Sequence, residues 1–255
     1  MVIIMFAAIS FSKPSHGSYE LTRYEYDNYG YYSLVLKNKI RSGAASSLLI
    51  RLSRMTHIAV SDNFKNLPEV AGITRFNPHR FDTVIYRNII LKLLSDISLP
   101  VGVFDTHGFT ADILAPVIIK SGICTVYTQN PDAFYSVNES CAKTAGVRAV
   151  ITQNPSALYG CPLIFAPFGT DNDVFISSFS VIIGRDGYRF NPADIPRIRD
   201  SGYNDCGLSS YMFCAALYTL CGESKAGLVC PQKVQCGGIT VPLEDVVQML
   251  NRNNH

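Results

Sequence analysis

Val101-Gly102-Val103-Phe104-Asp105-Thr106-His107-Gly108-Phe109-Thr110 is the stretch on which the fold turns. Pro100 introduces four residues without a charge, and a polar turn follows them. A short apolar run of this kind reads as a strand covered on both faces. Thr110 or a neighbour is placed to cap a helix running to about Lys120, which Gly122 ends. A second strand, Ile123 to Tyr127, leads through Thr128-Gln129-Asn130 to Pro131, a favoured first helical residue. That helix runs to about Ala145 and stops at Gly146. Strand Val147 to Ile151, polar Thr152-Gln153-Asn154, a shorter helix from Pro155 to Gly160 and strand Pro162 to Ala166 complete the series.

Strand, short loop, helix, glycine and strand again describe a parallel sheet with right-handed crossovers. The expected class is therefore α/β, a Rossmann-like parallel sheet with flanking helices. An internal echo supports the reading. Residues 128–135, Thr-Gln-Asn-Pro-Asp-Ala-Phe-Tyr, match residues 152–159, Thr-Gln-Asn-Pro-Ser-Ala-Leu-Tyr, at six of eight positions, 24 residues on. That step is about one strand-helix unit, so both copies belong at the same edge of the sheet.

Outward from this unit the texture changes. The apolar start, Met1 to Phe11, has no basic residue before it, and Ser12-Lys13-Pro14 is a poor cleavage site, so a buried first strand is expected and not a leader peptide. The run is also too short to span a bilayer. Tyr19, Tyr24, Tyr26, Tyr29, Tyr31 and Tyr32 flank Asp27-Asn28-Tyr29-Gly30, which predicts strands either side of a turn with a half-exposed tyrosine face. Gly43 to Met55 reads as a helix, His57 to Ser61 as a strand and Arg80 to Leu94 as a buried helix. Beyond Thr170, Phe179 to Ile183 and Tyr188 to Phe190 flank Arg185-Asp186-Gly187, a hairpin signal. Helices follow at Leu208 to Leu220 and Leu243 to Leu250. The expected division is a smaller N-terminal α/β or α+β part, residues 1–98, and a Rossmann-like part, 99–255, that carries the C-terminal hairpin and helices.

Composition narrows the partners. With 255 residues, 47% of them hydrophobic and 16% charged, the chain suits a buried core. A net charge of +2 without a dense Lys/Arg stripe gives no footprint for nucleic acid. No membrane segment is expected. All eight cysteines follow residue 120, none forms a Cys-x-x-Cys pair, and several lie in apolar runs such as Ile123-Cys124-Thr125-Val126. The spacing of Cys206, Cys214, Cys221, Cys230 and Cys236 matches no zinc pattern, so reduced thiols, no metal and a cytoplasmic setting are expected.

In open α/β sheets ligands bind outside the carboxyl ends of the strands. Those ends are Asp105, Thr106, His107 and Gly108; Thr128, Gln129 and Asn130; Thr152, Gln153 and Asn154; and Pro167-Phe168-Gly169-Thr170. The adjoining helix starts supply N–H groups that favour an anion. Asp105 and Thr106 read most simply as helix caps, with a ligand contact and a nucleophile as alternatives. His107 is a proton donor or a solvated turn residue. His16, His57 and His79 have no partner spacing, and Asp205-Cys206-Gly207 and Cys236-Gly237-Gly238 offer exposed thiols with no neighbour to activate them.

In its rhythm, residues 101–170 resemble the cofactor-binding domain of shikimate-dehydrogenase-like oxidoreductases. That resemblance implies a dinucleotide, a Gly-rich turn against its pyrophosphate and an acidic residue on its ribose. Here the turn has the single glycine Gly108, and Thr128 or Gln129 stands at the ribose position. The stretch Val103 to Asp112 also resembles the first motif of haloacid-dehalogenase-like phosphatases, which implies Asp105 as nucleophile and places His107 at the general-acid position. The later lysine and the acidic magnesium-binding pair of that family have no counterpart. The sequence therefore points to a degenerate nucleotide- or small-anion-binding module without a full catalytic set. The alternatives are an NAD(P)-dependent oxidoreductase or a phosphatase using Asp105.

Overall fold

The first strand of the chain is buried, as its uninterrupted apolar character requires: Phe6, Ala7, Ala8 and Ile9 have no exposed surface. The computed structural model describes residues 3–253 apart from 13, 27–28, 38–41, 57, 64, 66, 68, 71, 77, 171–179, 196–206, 217 and 219–229. Two compact units make up the chain, Met1–Phe81 with Ile195–Gly227, and Asp82–Asp194 with Leu228–His255. Relative to the expected division at residue 98, the buried helix before the central sheet goes with the second unit, and residues 195–227 go with the first.

In the first unit, β1 (Ile3–Phe11), β2 (Tyr19–Tyr26), β3 (Tyr29–Leu36), β4 (Ile58–Ser61) and β5 (Thr74–Arg75) form a sheet in the order β2-β3-β1-β4-β5. β1 runs parallel to β3 and β4, while β2 and β3 pair antiparallel across a turn whose Asp27-Asn28 lies outside the described residues. The tyrosines divide: Tyr19 is 38% exposed, whereas Tyr31 is 2% exposed. Tyr31 stacks between Phe6 and Tyr24 with ring centroids 5.1 Å from each. Phe213 meets Tyr31 edge-on at 5.1 Å, the offset geometry that aromatic quadrupoles favour. Helix α1 covers Ser42–Ser53.

The second unit opens with α2 (Phe81–Asp96), whose Ile85, Ile89, Ile90 and Leu93 are fully buried. Five strands follow: β6 (Val101–Phe104), β7 (Cys124–Tyr127), β8 (Val150–Thr152), β9 (Leu163–Ala166) and β10 (Val181–Gly184). All pair parallel, in the order β10-β9-β6-β7-β8. The chain thus lays down three strands in one direction, returns to the other side of β6 and continues outward, which is the Rossmann order with its reversal between β6 and β9. β6 and β9 are buried at every residue, each large side chain worth roughly 1.5–3 kcal/mol on transfer from water.

Several local expectations change. The helix after β6 is a 3-10 turn, Ala111–Ile113, followed by α3 (Ala115–Ser121), and neither has a side-chain cap from Thr110 or Leu114. The helix after Pro131 begins as a 3-10 turn before α4 (Tyr135–Ala145), and Pro155–Leu158 is a 3-10 turn alone. β8 lies three residues later than predicted at its start, because Arg148 and Ala149 are held off the sheet: Asn138 brackets Ala149 through its N–H (2.9 Å) and carbonyl (3.0 Å).

The turn expected at Arg185-Asp186-Gly187 forms, but without an antiparallel ladder: the Tyr188 N–H donates to the Ile182 carbonyl at 2.8 Å and the Gly184 N–H to the Tyr188 carbonyl at 3.1 Å, a single bridge. β10 joins β9 as the edge of the parallel sheet. β11 (Arg189–Phe190) pairs instead with β12 (Lys233–Cys236), and β12 makes its own hairpin with β13 (Ile239–Pro242) across Gly237-Gly238. Phe179 of the predicted strand lies outside the described residues. Helix α5 occupies residues 210–216, with Cys214 buried in the core and Cys221 outside the described residues. Helix α6 (Leu243–Asn253) closes the chain with Leu243, Val246 and Leu250 buried. Among the described residues, no helix is long and apolar enough to cross a membrane.

Candidate functional site

Asp105 follows β6 directly, and its carboxylate is 1% exposed. It does not cap the helix. Oδ1 accepts the N–H of Gly108 at 2.9 Å, and Oδ2 accepts both the N–H and the hydroxyl of Thr110 at 2.7 Å. The charge is buried but provided with three donors, as a buried carboxylate requires. Gly108 sits at φ +81°, and a Cβ there would lie 2.6 Å from Ala133 Cβ. Only glycine combines that conformation with that approach.

The loop after β7 is tied to this one. The Thr106 carbonyl accepts the Gln129 N–H at 3.0 Å and the Thr128 hydroxyl at 3.3 Å. Asn130 Nδ2 donates to the His107 carbonyl at 3.2 Å. Thr128 is fully buried, and its N–H reaches the Thr152 carbonyl at 3.0 Å, which joins the loop after β8. Gln129 Nε2 donates to Tyr127 Oη at 3.0 Å. Asn154 Oδ1 accepts the Ser156 N–H at 3.1 Å and caps the 3-10 turn. The structure therefore gathers all ten predicted site residues on one edge. It commits Asp105, Thr106, Gly108, Thr128, Asn130, Thr152 and Asn154 to holding the loops, while the His107, Gln129 and Gln153 side chains are on exposed residues.

Sequence reasoning missed the aromatic groups at the reversal point. Phe109 is 63% and Phe168 44% exposed, and their rings meet edge-on at 81° with centroids 5.6 Å apart. His107 lies 5.3 Å from Phe109, tilted by 41°. Beneath them Gly169, at φ +96°, leaves room for the Asp186 carboxylate, which accepts the Thr170 N–H at 2.7 Å. Each phenylalanine adjoins a loop glycine, but only the pairing of β6 with β9 brings the two rings together. Charges following the strand ends are mostly acidic: Asp105, Asp112, Asp132 and Asp186 against Arg185.

Cys124 and Cys230 are held away from the thiolate, the reactive form of the group. Burial pushes Cys124 up to about 12, with the Cys161 and Cys141 thiols adding to it. Burial likewise raises Cys230 to about 12 against the opposing pull of Lys92. Cys230 and Lys92 line a separate cavity of about 620 Å³ with Gln232, Lys233, Glu244 and Val247, at the small sheet and away from the strand ends. Cys206 and His57 lie outside the described residues. Among the described residues no group of three or more His, Cys, Asp or Glu side chains is placed to hold a metal ion.

No family model and no curated protein matches the chain. Among solved structures, L-tryptophan dehydrogenase from Nostoc punctiforme aligns with 88% of this chain and 68% of its own, at 10% identity and a TM-score of 0.34. The chain has a Rossmann-like α/β fold, established by its own strand order and parallel pairing.

Proposed function

We propose that the second unit is a binding module for a small molecule, seated in the crevice between the loops after β6 and β9, and that it does not cradle a dinucleotide. One observation carries this reading. In a Rossmann site the backbone N–H groups of the first loop receive the pyrophosphate. Here the Asp105 carboxylate already takes those of Gly108 and Thr110. A phosphate entering that loop would displace a buried anion or sit against it.

The same geometry weighs against Asp105 as a phosphatase nucleophile, because both oxygens are engaged and the residue is 1% exposed. It also moves the expected ligand away from the anion that the helix starts suggested. Like charges repel, and the exposed Asp186 carboxylate reaches the loop after β9, where it accepts the Thr170 N–H at 2.7 Å. An uncharged or cationic ligand suits it better.

Thermal unfolding with NAD, NADH, NADP and NADPH tests the reading. A bound cofactor at 100 times its dissociation constant stabilises a fold by about 2.7 kcal/mol, so none of the four at micromolar concentration is expected to move the transition. A clear shift with any of them would return the protein to the oxidoreductase reading. Magnesium-dependent hydrolysis of an aryl phosphate that disappears in Asp105→Asn would return it to the phosphatase reading.

A further inference from the structure

We infer that the ligand is a planar aromatic molecule bearing no anionic group, stacked in the corner between the Phe109 and Phe168 rings; this rests on the binding-module reading above. Two large apolar side chains in glycine-containing loops at a strand edge are not there to fill the core, since both are substantially exposed. Their perpendicular rings, 5.6 Å apart at 81°, bound a corner with two faces at right angles. A third ring entering that corner stacks on the face of one and turns its own edge to the face of the other, the two arrangements that ring quadrupoles favour. The His107 ring, 5.3 Å from Phe109, widens the apolar platform and adds a hydrogen-bonding nitrogen.

Charge selects within the planar class. Asp186 is exposed and stands beside Gly169 and Thr170, directly after Phe168. An anionic substituent would meet this carboxylate, while an amide or a cation gains from it. The negative faces of the two rings favour a cation in the same sense. The position agrees with the rule that open α/β sheets bind ligands where the strand order reverses.

The test uses the full chain and three probes that share one ring: benzamide, benzamidine and benzoate, followed by saturation-transfer NMR with His107 ring resonances as a position report. Benzamide and benzamidine are expected to receive saturation and shift His107, and benzoate to do so more weakly. Phe109→Leu and Phe168→Leu keep the apolar volume and remove the planar face, so each should weaken benzamide roughly two- to tenfold. Phe109→Tyr should retain binding. Benzoate binding at least as tightly as benzamide overturns the charge argument, and silence of all three probes overturns the inference. If benzamide still shifts His107 with unchanged affinity in both leucine variants, stacking is refuted while the binding-module reading stands. A thermal shift with a dinucleotide would instead overturn the binding-module reading itself.

Discussion

The loops after β7 and β8 begin with the same four residues, Thr-Gln-Asn-Pro, and build the same first turn. The Asn130 N–H donates to Thr128 Oγ1 at 3.0 Å, and the Asn154 N–H donates to Thr152 Oγ1 at 3.0 Å. There the likeness ends. Asn130 turns its amide away to the His107 carbonyl, whereas Asn154 folds its oxygen back onto its own Ser156 N–H. Ala133 has Gly108 packed against its Cβ, while its counterpart Ala157 is exposed. The difference comes from position in the sheet: β7 lies between β6 and β8, and β8 is an edge. A side chain with a neighbouring loop within reach bonds to it, and one without bonds locally.

The largest test of this contrast lies at the contact between loops. Gly108→Ala should destabilise the protein by about 3 kcal/mol, combining a left-handed alanine with overpacking against Ala133, as read from urea unfolding midpoints. If the contact with Ala133 drives the cost, Gly108→Ala combined with Ala133→Gly should recover part of it, whereas Ala157→Gly should recover nothing. Full recovery by Ala157→Gly would break the comparison.

Next in size are the threonines. Thr128 is fully buried and its hydroxyl makes two bonds, to Thr106 and from Asn130. Thr128→Val should cost about 1.5 kcal/mol and Thr152→Val about half that, on a net 0.5–1.5 kcal/mol per bond. Equal midpoints for the two variants would show that the cross-loop bond adds nothing.

The smallest effect is the most specific. Asn154→Asp should be neutral within about 0.5 kcal/mol, because a carboxylate caps as well as an amide oxygen. Asn130→Asp loses its donor and faces a carbonyl, so it should cost about 1 kcal/mol. Chemical denaturation at neutral pH measures both, and a reversed order would mean that the two asparagines play the opposite parts.

Asp105 shows how far the sequence carried the site. Asp at the end of an apolar strand, five residues before a helix, reads as a cap, and a cap tolerates Asn. The carboxylate instead uses both oxygens on the turn itself, and an amide has only one acceptor oxygen, so Asp105→Asn is no longer expected to be neutral. The residue and its polar partners were legible; the direction of its bonds was not, because a flexible turn is fixed by what packs on it. Phe109 and Phe168 were illegible as a pair for a simpler reason. They are 59 positions apart in the chain, and nothing local says that β9 returns beside β6.

What the sequence determined by itself is the set of local elements: the buried first strand, the alternation of apolar strands and glycine-ended helices from Val101 to Ala166, and the polar loops that close each strand. These follow from periodicity, from the backbone freedom of Gly122 and Gly146, and from Pro131 and Pro155 at helical starts. Only the tertiary structure decided which strands are neighbours. β10 paired along its length with β9 and kept only a single bridge to Tyr188 across the predicted turn, and β11 found β12 more than forty residues away. Strand pairing depends on contacts between distant segments, whose net gain is set by the whole core and not by the turn between them.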